Sequence, residues 1–505
     1  MKLKNILLLT TISSTMLFSC SKLEEEFDDS LSAVEEESID PQSILQGAYN
    51  ALNTPFQDQS RFWAAQEHTS DAALGPTRGG DWDDNGVWRV LHNHKWNADH
   101  AFLRDTYREL LQAQYFATNV LQLNSSSAQQ KAEARFLRAL AMYCTLDGWD
   151  QVPFREGDNF NDVTLLPETK KGAECADFLV SELDKAIPDL PSSPIVKGNK
   201  DAARALKMKI LINKGAYANR QTPTFDNADM AKVISLADEI INSGKYQLQE
   251  NYFENFAPNN STISKEIIYA LENTPGVRGG NVRSRWFAQL HYNQNPSGWN
   301  GFATLSDFYD KFDAADKRRE QSYPGITSVG GVKVGFLVGQ QYDQNGNALK
   351  DRTGAPLSFT REVKLTETGT NLEVTGIRVI KYPIDYVSGD QSNNEYVIFR
   401  YADVLLMKAE ALLRSGNEPA ARAIVNDIRA KRGVAAFGTL NVDNLLDERG
   451  RELYWEGWRR NDLIRFGKFL QPWQEKPTDD PKYLLFAIPN EQLAVNPNLT
   501  QNPGY

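Results

Sequence analysis

Residues 77–88 read TRGGDWDDNGVW, and three chemistries meet in that stretch. Asp81, Asp83, Asn85 and Gly86 follow the D-x-D-x-N-G spacing with which a calcium loop offers its oxygens. The pattern fails at its twelfth position, where a bidentate Glu is needed and His92 stands. Trp82 and Trp88 give a second reading. An indole covers the C–H face of a sugar ring, while short carboxylates and amides bond the hydroxyls at its edge. Thirdly, two carboxylates at a suitable separation equip a glycosidase, but spacing along the chain does not fix that separation. The loop is read as part of a solvent-facing sugar platform, with calcium binding and glycoside hydrolysis as its rivals.

A second segment, RSRWFAQLHYNQNPSGWN (283–300), has the same interleaving of aromatic and short polar residues. The candidate ligand residues are Asp71, Arg78, Asp81, Trp82, Asp83 and Trp88 in a first segment that extends over 70–96, and Trp286, Tyr292, Asn293, Asn295 and Trp299 in the second. The platform requires at least two of Trp82, Trp88, Trp286 and Trp299 at the surface. His92, His94 and His100 cluster with Asp99 but lack a clean zinc spacing, so they are read as hydrogen-bonded loop residues. H-E-x-x-H, nucleophile-elbow and P-loop motifs are missing from the sequence. No catalytic residue, metal or cofactor is therefore expected.

The elements that must position these loops are helices. Residues 41–53 form a short first helix; 101–122 and 128–146 form a long pair. In the second of that pair, Ala132, Phe136, Ala139, Leu140 and Tyr143 recur at three- and four-residue spacing. Helices follow at 172–187 and 200–219, and another ends at Ser243-Gly244. At 401–434, Gly416-Asn417 breaks two apolar stripes, Pro419 sits in the first turn of the second helix, and Gly433 ends it. That unit has the length of a tetratricopeptide helix pair, and Ala409, Ala411, Ala420 and Ala421 let its helices approach closely. Pairs of similar shape lie at 101–146 and 200–243. Val332, Val334, Phe336 and Val338 alternate as a strand, and Asn345-Gly346 is a hairpin-type turn. Residues 54–100 and 245–400 are long loops on this scaffold, where binding residues are expected.

The first residues read as a targeting segment. Lys2 and Lys4 precede an apolar run from Ile6 to Phe18 that is too short and too polar to span a membrane well. It ends in Leu17-Phe18-Ser19-Cys20, a lipoprotein box in which the Cys20 thiol is acylated; an ordinary cleaved signal is the alternative. Several acyl chains anchor stably, at about 0.8 kcal/mol per buried CH₂. Residues 23–37, LEEEFDDSLSAVEEE, carry eight carboxylates and cannot pack, so they form an extended tether. Residues 1–19 are thus a signal peptide, 20–40 a lipidated acidic tether and 41–505 the folded domain, helical to about 245 and richer in loops beyond. Cys144 and Cys175 lie in helical patterns and are read as small buried residues, with no disulfide framework. The net charge of −11, with no basic tract, excludes a nucleic-acid partner.

Four stretches in order resemble the SusD/RagB family of outer-membrane lipoproteins. They are EARFLRALAMYCTLDGWDQVPF (133–154), FRYADVLLMKAEALLRSGN (399–417), ERGRELYWEGWRRNDLIRFGKF (448–469) and FAIPNEQLAVNPNLTQNPGY (486–505). Acidic residues just after Cys20 likewise resemble the surface-export signal of Bacteroidetes lipoproteins. The residues themselves carry a structural reading: Val152-Pro153-Phe154 tuck under the core. Glu448, Glu452 and Glu456 fall four apart, with Arg451, Arg459 and Arg465 near enough to pair with carboxylates. The resemblance implies a mostly α fold of four tetratricopeptide-like units with long loops and a few short strands. It implies a non-enzymatic protein on the outer face of the outer membrane. That protein captures a nutrient, commonly an oligosaccharide, and delivers it to a SusC-like TonB-dependent transporter on which it forms a lid. It also implies an Asp and an Arg from the early loop as glycan ligands, roughly where Asp71 and Arg78 stand. Peptide or other nutrient binding, and a surface glycosidase, are the alternatives.

Overall fold

A computed structural model describes residues 39–157, 160–162, 164–274 and 281–505. The acylation candidate Cys20 and the acidic tether to residue 38 lie outside the described residues. Helix α1 (Pro41–Ala51) opens on Asp40, whose carboxylate accepts from the Gln42 and Ser43 amides. Helices α2 (Ala101–Gln122) and α3 (Ala128–Trp149) form the long pair, with Ser127 and Gln130 bonding reciprocally at the start of α3. Helix α3 runs three residues past the expected end at 146. Gly148, ordinarily a weak helix former, stays helical because the Phe486 ring packs so closely on it that a Cβ would lie 3.0 Å from the ring. Asp150 then turns the chain with φ 66°, and Val152 and Phe154 are buried in a strand paired antiparallel with Glu168–Lys171.

Helices α4 (Gly172–Ala186), α5 (Lys200–Ala218), α6 (Asn227–Asn242), α7 (Tyr401–Arg414) and α8 (Glu418–Lys431) continue the series. Each helix from α2 to α8 packs on the next, and α1 lies against both α2 and α3. The pairs expected at 101–146, 200–243 and 401–434 are therefore the repeating unit of one continuous stack. Leu406, Ala409, Ala421, Val425 and Ile428 form the seam between α7 and α8, where the small residues permit close contact. Cys144 and Cys175 are buried free thiols, and burial pushes Cys175 up to about 12.

Along the chain, residues 243–400 separate α6 from α7, and their elements are short. Ile267–Leu271 pairs antiparallel with Tyr396–Arg400, which leads directly into α7. Val334–Leu337 is the centre of a three-stranded antiparallel sheet with Glu320–Gln321 and Arg378–Ile380. The turn at Asn345-Gly346 forms as expected, with Gly346 at φ 80° and Tyr342 bridged to Ala348.

Helices α9 (Val442–Leu453) and α10 (Arg459–Arg465) carry the charged motif, and the partners differ from the simplest reading. Arg451 does pair with Glu448 at 2.7 Å, but Arg459 reaches Asp71, and Arg465 reaches Glu410 and Asp462. Glu452 and Glu456 are neutralised from outside the motif. Arg400 lies 2.8 Å from both, Arg318 lies 2.9 Å from Glu452, and Arg432 lies 2.8 Å from Glu452 and 2.9 Å from Glu266. Burial would raise the Glu452 carboxyl, but Arg432, Arg400 and Arg318 hold it well below the usual carboxylate range. The network joins strand, insertion and helices, and it is scaffold.

Candidate functional site

The two aromatic–polar segments come together on the surface of the insertion. Leu74 bridges to Ala303 and Thr304 to Ile377, while Thr77–Arg78 pairs in parallel with Thr366–Glu367. These short ladders fasten three distant stretches side by side. The backbone then reverses at Gly79-Gly80, with mutual amide–carbonyl bonds between Arg78 and Asp81. Gly79 takes φ 64°, which glycine adopts without strain. Trp82 (φ 61°), Asp84 (φ 39°) and Asn85 (φ 55°) follow in the left-handed region. Such residues cost of order 1–3 kcal/mol each and persist only where their surroundings fix them.

Those surroundings are aromatic. The Trp82 indole packs against Trp88 (5.6 Å between ring centroids) and Phe302 (4.9 Å). Its Nε1–H donates to the Trp299 carbonyl at 2.8 Å, and the two indoles lie 6.3 Å apart, tilted by 55°. Trp299 leans edge-on against Phe287 and is 43% exposed. Residues 298–301 run back along 287–291 through four amide–carbonyl bonds, including Trp299 N–H to Phe287 O at 2.9 Å. At Gly301 any Cβ would collide with the Trp82 ring and lie 2.8 Å from the Ala288 carbonyl, so glycine is required there.

Beside the rings stands a polar rim. Tyr292 donates to Asp81 at 2.9 Å, and the Arg352 guanidinium carbon lies over the Tyr292 ring, 3.9 Å from its centroid. Arg352 also pairs with Asp81 at 3.5 Å and with Glu373, which accepts from the Arg352 amide and contacts His291 Nε2 at 3.0 Å. Burial would raise the Glu373 carboxyl, but the Arg352 amide and guanidinium and His291 outweigh it and lower it. Burial, reinforced by the Asp81 bond, pushes the Tyr292 hydroxyl up to about 12. Asp83 pairs with Arg89 at 2.5 Å, and Asn293 Nδ2 donates to the Lys350 carbonyl at 2.9 Å. This arrangement offers two tilted apolar faces with hydroxyl-bonding groups at their edge.

Four of the candidates are buried. Asp71 forms a two-pronged pair with Arg459 at 2.6 and 2.7 Å, which withdraws it from the platform. Arg78 is buried and acts as a clamp, donating to the carbonyls of Asn300 (2.7 Å), Gly301 and Thr375 (2.8 Å). Burial pulls its guanidinium down to about 10, against Glu367, Tyr292 and Asp81. Trp88 and Trp286 are buried and form part of the core. Asp81, Trp82, Asp83, Tyr292, Asn293, Asn295 and Trp299 keep exposed or partly exposed surface. The Asn295 carbonyl accepts from Tyr386.

The rival metal readings meet committed side chains. Asp81 and Asp83 are bonded as above, and His92 contacts the carbonyls of Ala73 and Gln474. His94 contacts the Thr69 carbonyl, and His100 accepts from the Leu103 amide and contacts the Val87 carbonyl. Among the described residues, no group of three His, Cys, Asp or Glu is placed to hold a metal ion. Arg352, Glu373, Phe287 and Gly301 were not singled out by sequence. Arg352 sits at the tip of a tight Asp351–Gly354 turn, and that Asp-x-x-Gly spacing is the sequence signal that could have marked an exposed position.

The chain is 25% identical to the starch-binding protein SusD of Bacteroides thetaiotaomicron over 437 residues, covering 76% of this chain and 74% of that one. It is 20% identical to a SusD superfamily protein from Parabacteroides distasonis, whose crystal structure superposes with a TM-score of 0.73 over 93% of this chain and 99% of that one. Surface glycan-binding protein A from Bacteroides thetaiotaomicron, solved in complex with laminarihexaose, superposes with a TM-score of 0.69 at 18% identity, over 92% and 98%. Residues 236–505, which hold the second aromatic segment, Arg352, Glu373 and the buried Arg–Glu network, match the SusD family profile; with the helix-pair stack, this establishes that the chain belongs to the SusD family.

Proposed function

We propose that the protein binds oligosaccharides on the face formed by Trp82, Trp299, Tyr292, Asp81, Arg352 and Glu373, without changing them chemically. The observation that carries this is the Trp82–Trp299 pair: two indoles locked side by side, with the Tyr292–Asp81–Arg352 rim beside them. Starch and laminarihexaose in the names of similar proteins support the ligand class. A glycosidase needs a carboxylic acid raised toward neutrality. Glu373 is shifted the other way.

The protein works at the outer membrane, tethered by Cys20 and the acidic segment 20–40, with 41–505 as the ligand-binding domain. It hands its ligand to a SusC-like TonB-dependent transporter. Among the described residues, no helix is long and apolar enough to cross a membrane, and the lipid anchor supplies attachment in this reading.

Isothermal titration of the purified protein against an oligosaccharide panel is the test. Saturable heat that is lost in Trp299→Ala supports the reading. Absence of binding across the panel, or release of shortened products on incubation, would overturn it.

A further inference from the structure

The rim around Arg352 carries more information than the presence of polar groups. Arg352 is half exposed and lies on the Tyr292 ring, as a group that meets a ligand does. Its charge is already matched twice, by Asp81 and by Glu373. Asp83, also half exposed, holds Arg89, and Asp84 accepts from Trp88 Nε1 at 2.9 Å. Lys350 is bonded to this rim through its carbonyl.

Two further cations lie behind the loop. Arg78 donates to the Asn300, Gly301 and Thr375 carbonyls. Arg378 donates to the Thr375 and Gly376 carbonyls and to Asn300 Oδ1. Both are buried, and their charges balance the carboxylates only from the inner side. An incoming ligand meets the outer side first. There it finds hydroxyl-bonding donors and acceptors and a guanidinium already flanked by its two carboxylates, while the exposed Lys350 side chain beside them makes no ion pair among the described residues. A uronate or sulfate would have to displace Asp81 or Glu373 from Arg352, or sit beside them as a like charge.

We infer that this face selects uncharged oligosaccharides and discriminates against those bearing carboxylate or sulfate groups, with Arg352, Asp81 and Glu373 as the selecting residues. The inference rests on the glycan-binding reading of the same face.

The test uses a matched pair. The full chain is titrated with laminari-, malto-, cello- and mannohexaose and with oligogalacturonate and oligoguluronate. The best uncharged binder is then compared with the same oligosaccharide whose primary hydroxyls have been oxidised to carboxylates. At low salt the oxidised form is expected to bind at least about tenfold more weakly. The difference should shrink as salt is added. In Asp81→Asn/Glu373→Gln, which frees the Arg352 charge, the ratio between the two forms is expected to fall severalfold or reverse. Equal or tighter binding of an anionic oligosaccharide, sensitive to Trp299→Ala, would overturn the selection while leaving the glycan reading intact. If neither class binds, the glycan reading falls and this inference with it.

Discussion

Tyr292 donates its hydroxyl to Asp81 at 2.9 Å, joining two loops separated by 211 positions in the chain. With the Trp82 Nε1–Trp299 O bond, it makes one surface out of two segments that share no helix or sheet. Tyr292→Phe keeps the ring that supports Arg352 and removes only the hydroxyl. Loss of one such bond costs about 0.5–1.5 kcal/mol. The expected outcome is a several-fold drop in oligosaccharide affinity by titration calorimetry, with little change in Tm. Because the hydroxyl is pushed up to about 12 by burial and then by Asp81, it stays a donor throughout neutral pH, and binding should not titrate with it below that range.

Gly301 tests how tightly the platform is built. A Cβ there collides with the Trp82 ring, and the neighbouring Ala288 carbonyl leaves no other space. Overpacking of this kind costs typically about 1–3 kcal/mol. Gly301→Ala should therefore lower Tm and weaken binding together, because the displaced ring is the ligand surface. An unchanged affinity would mean that Trp82 does not contact ligand.

The floor of the platform gives a pH dependence. His68 is buried among Trp63, Trp88 and Phe302, with centroids 4.4 to 5.3 Å away. Burial, then the charges of His92 and Arg285, hold it well below the ordinary histidine value of 6.5. His94 is likewise pulled down, to about 4, by burial against the pull of Asp479. The folded state thus binds fewer protons than the unfolded chain at acidic pH. Stability from these residues is full above 6.5 and is lost as pH falls toward about 4. Thermal melts between pH 7.5 and 5 should show a falling Tm, and His68→Leu should flatten the slope. A Tm independent of pH over that range would contradict the assignment.

The scaffold was legible in sequence where local rules coincide with tertiary packing. The 101–122 helix appears with its expected ends, because its apolar spacing agrees with the packing that buries Leu103, Leu110, Ala117 and Val120. The exposure of the tryptophans was not legible. Trp82 and Trp88 lie six residues apart in the same kind of polar context, yet only Trp88 is buried, because Phe102 and His68 from other parts of the chain close over it. The pairing of Asp71 was not legible for a related reason: its partner Arg459 lies 388 positions away. Arg352 and Glu373 escaped notice because their partners, Tyr292 and His291, belong to a loop more than 50 residues earlier in the chain.

Glu452 lies where Arg318, Arg400 and Arg432 converge, all buried. Removing one partner from a buried ion pair costs about 3–5 kcal/mol, because the remaining charges stay desolvated. Glu452→Gln leaves three guanidinium groups short of one carboxylate. Urea denaturation should show a loss of unfolding free energy of that size, while any protein that remains folded should bind oligosaccharide normally. A stability close to wild type would show that the network is dispensable.

Four tryptophans of the two segments separate stability from binding. Trp88 and Trp286 are buried, and truncating a buried aromatic costs about 3–5 kcal/mol. Trp299 is 43% exposed and Trp82 partly so. For Trp299→Ala the lost surface is mainly what a ligand would cover. Burial of roughly 50–100 Å² of indole against sugar corresponds to about 1–2.5 kcal/mol, or about fivefold to seventyfold in affinity. Trp88→Ala and Trp286→Ala should therefore lower Tm by many degrees, whereas Trp299→Ala should leave Tm nearly unchanged and weaken binding. Melting curves and titrations on the three variants measure both quantities at once. If Trp299→Ala binds like wild type while remaining folded, the ligand lies elsewhere on the protein, and the tilted indole pair is a structural feature of the insertion alone.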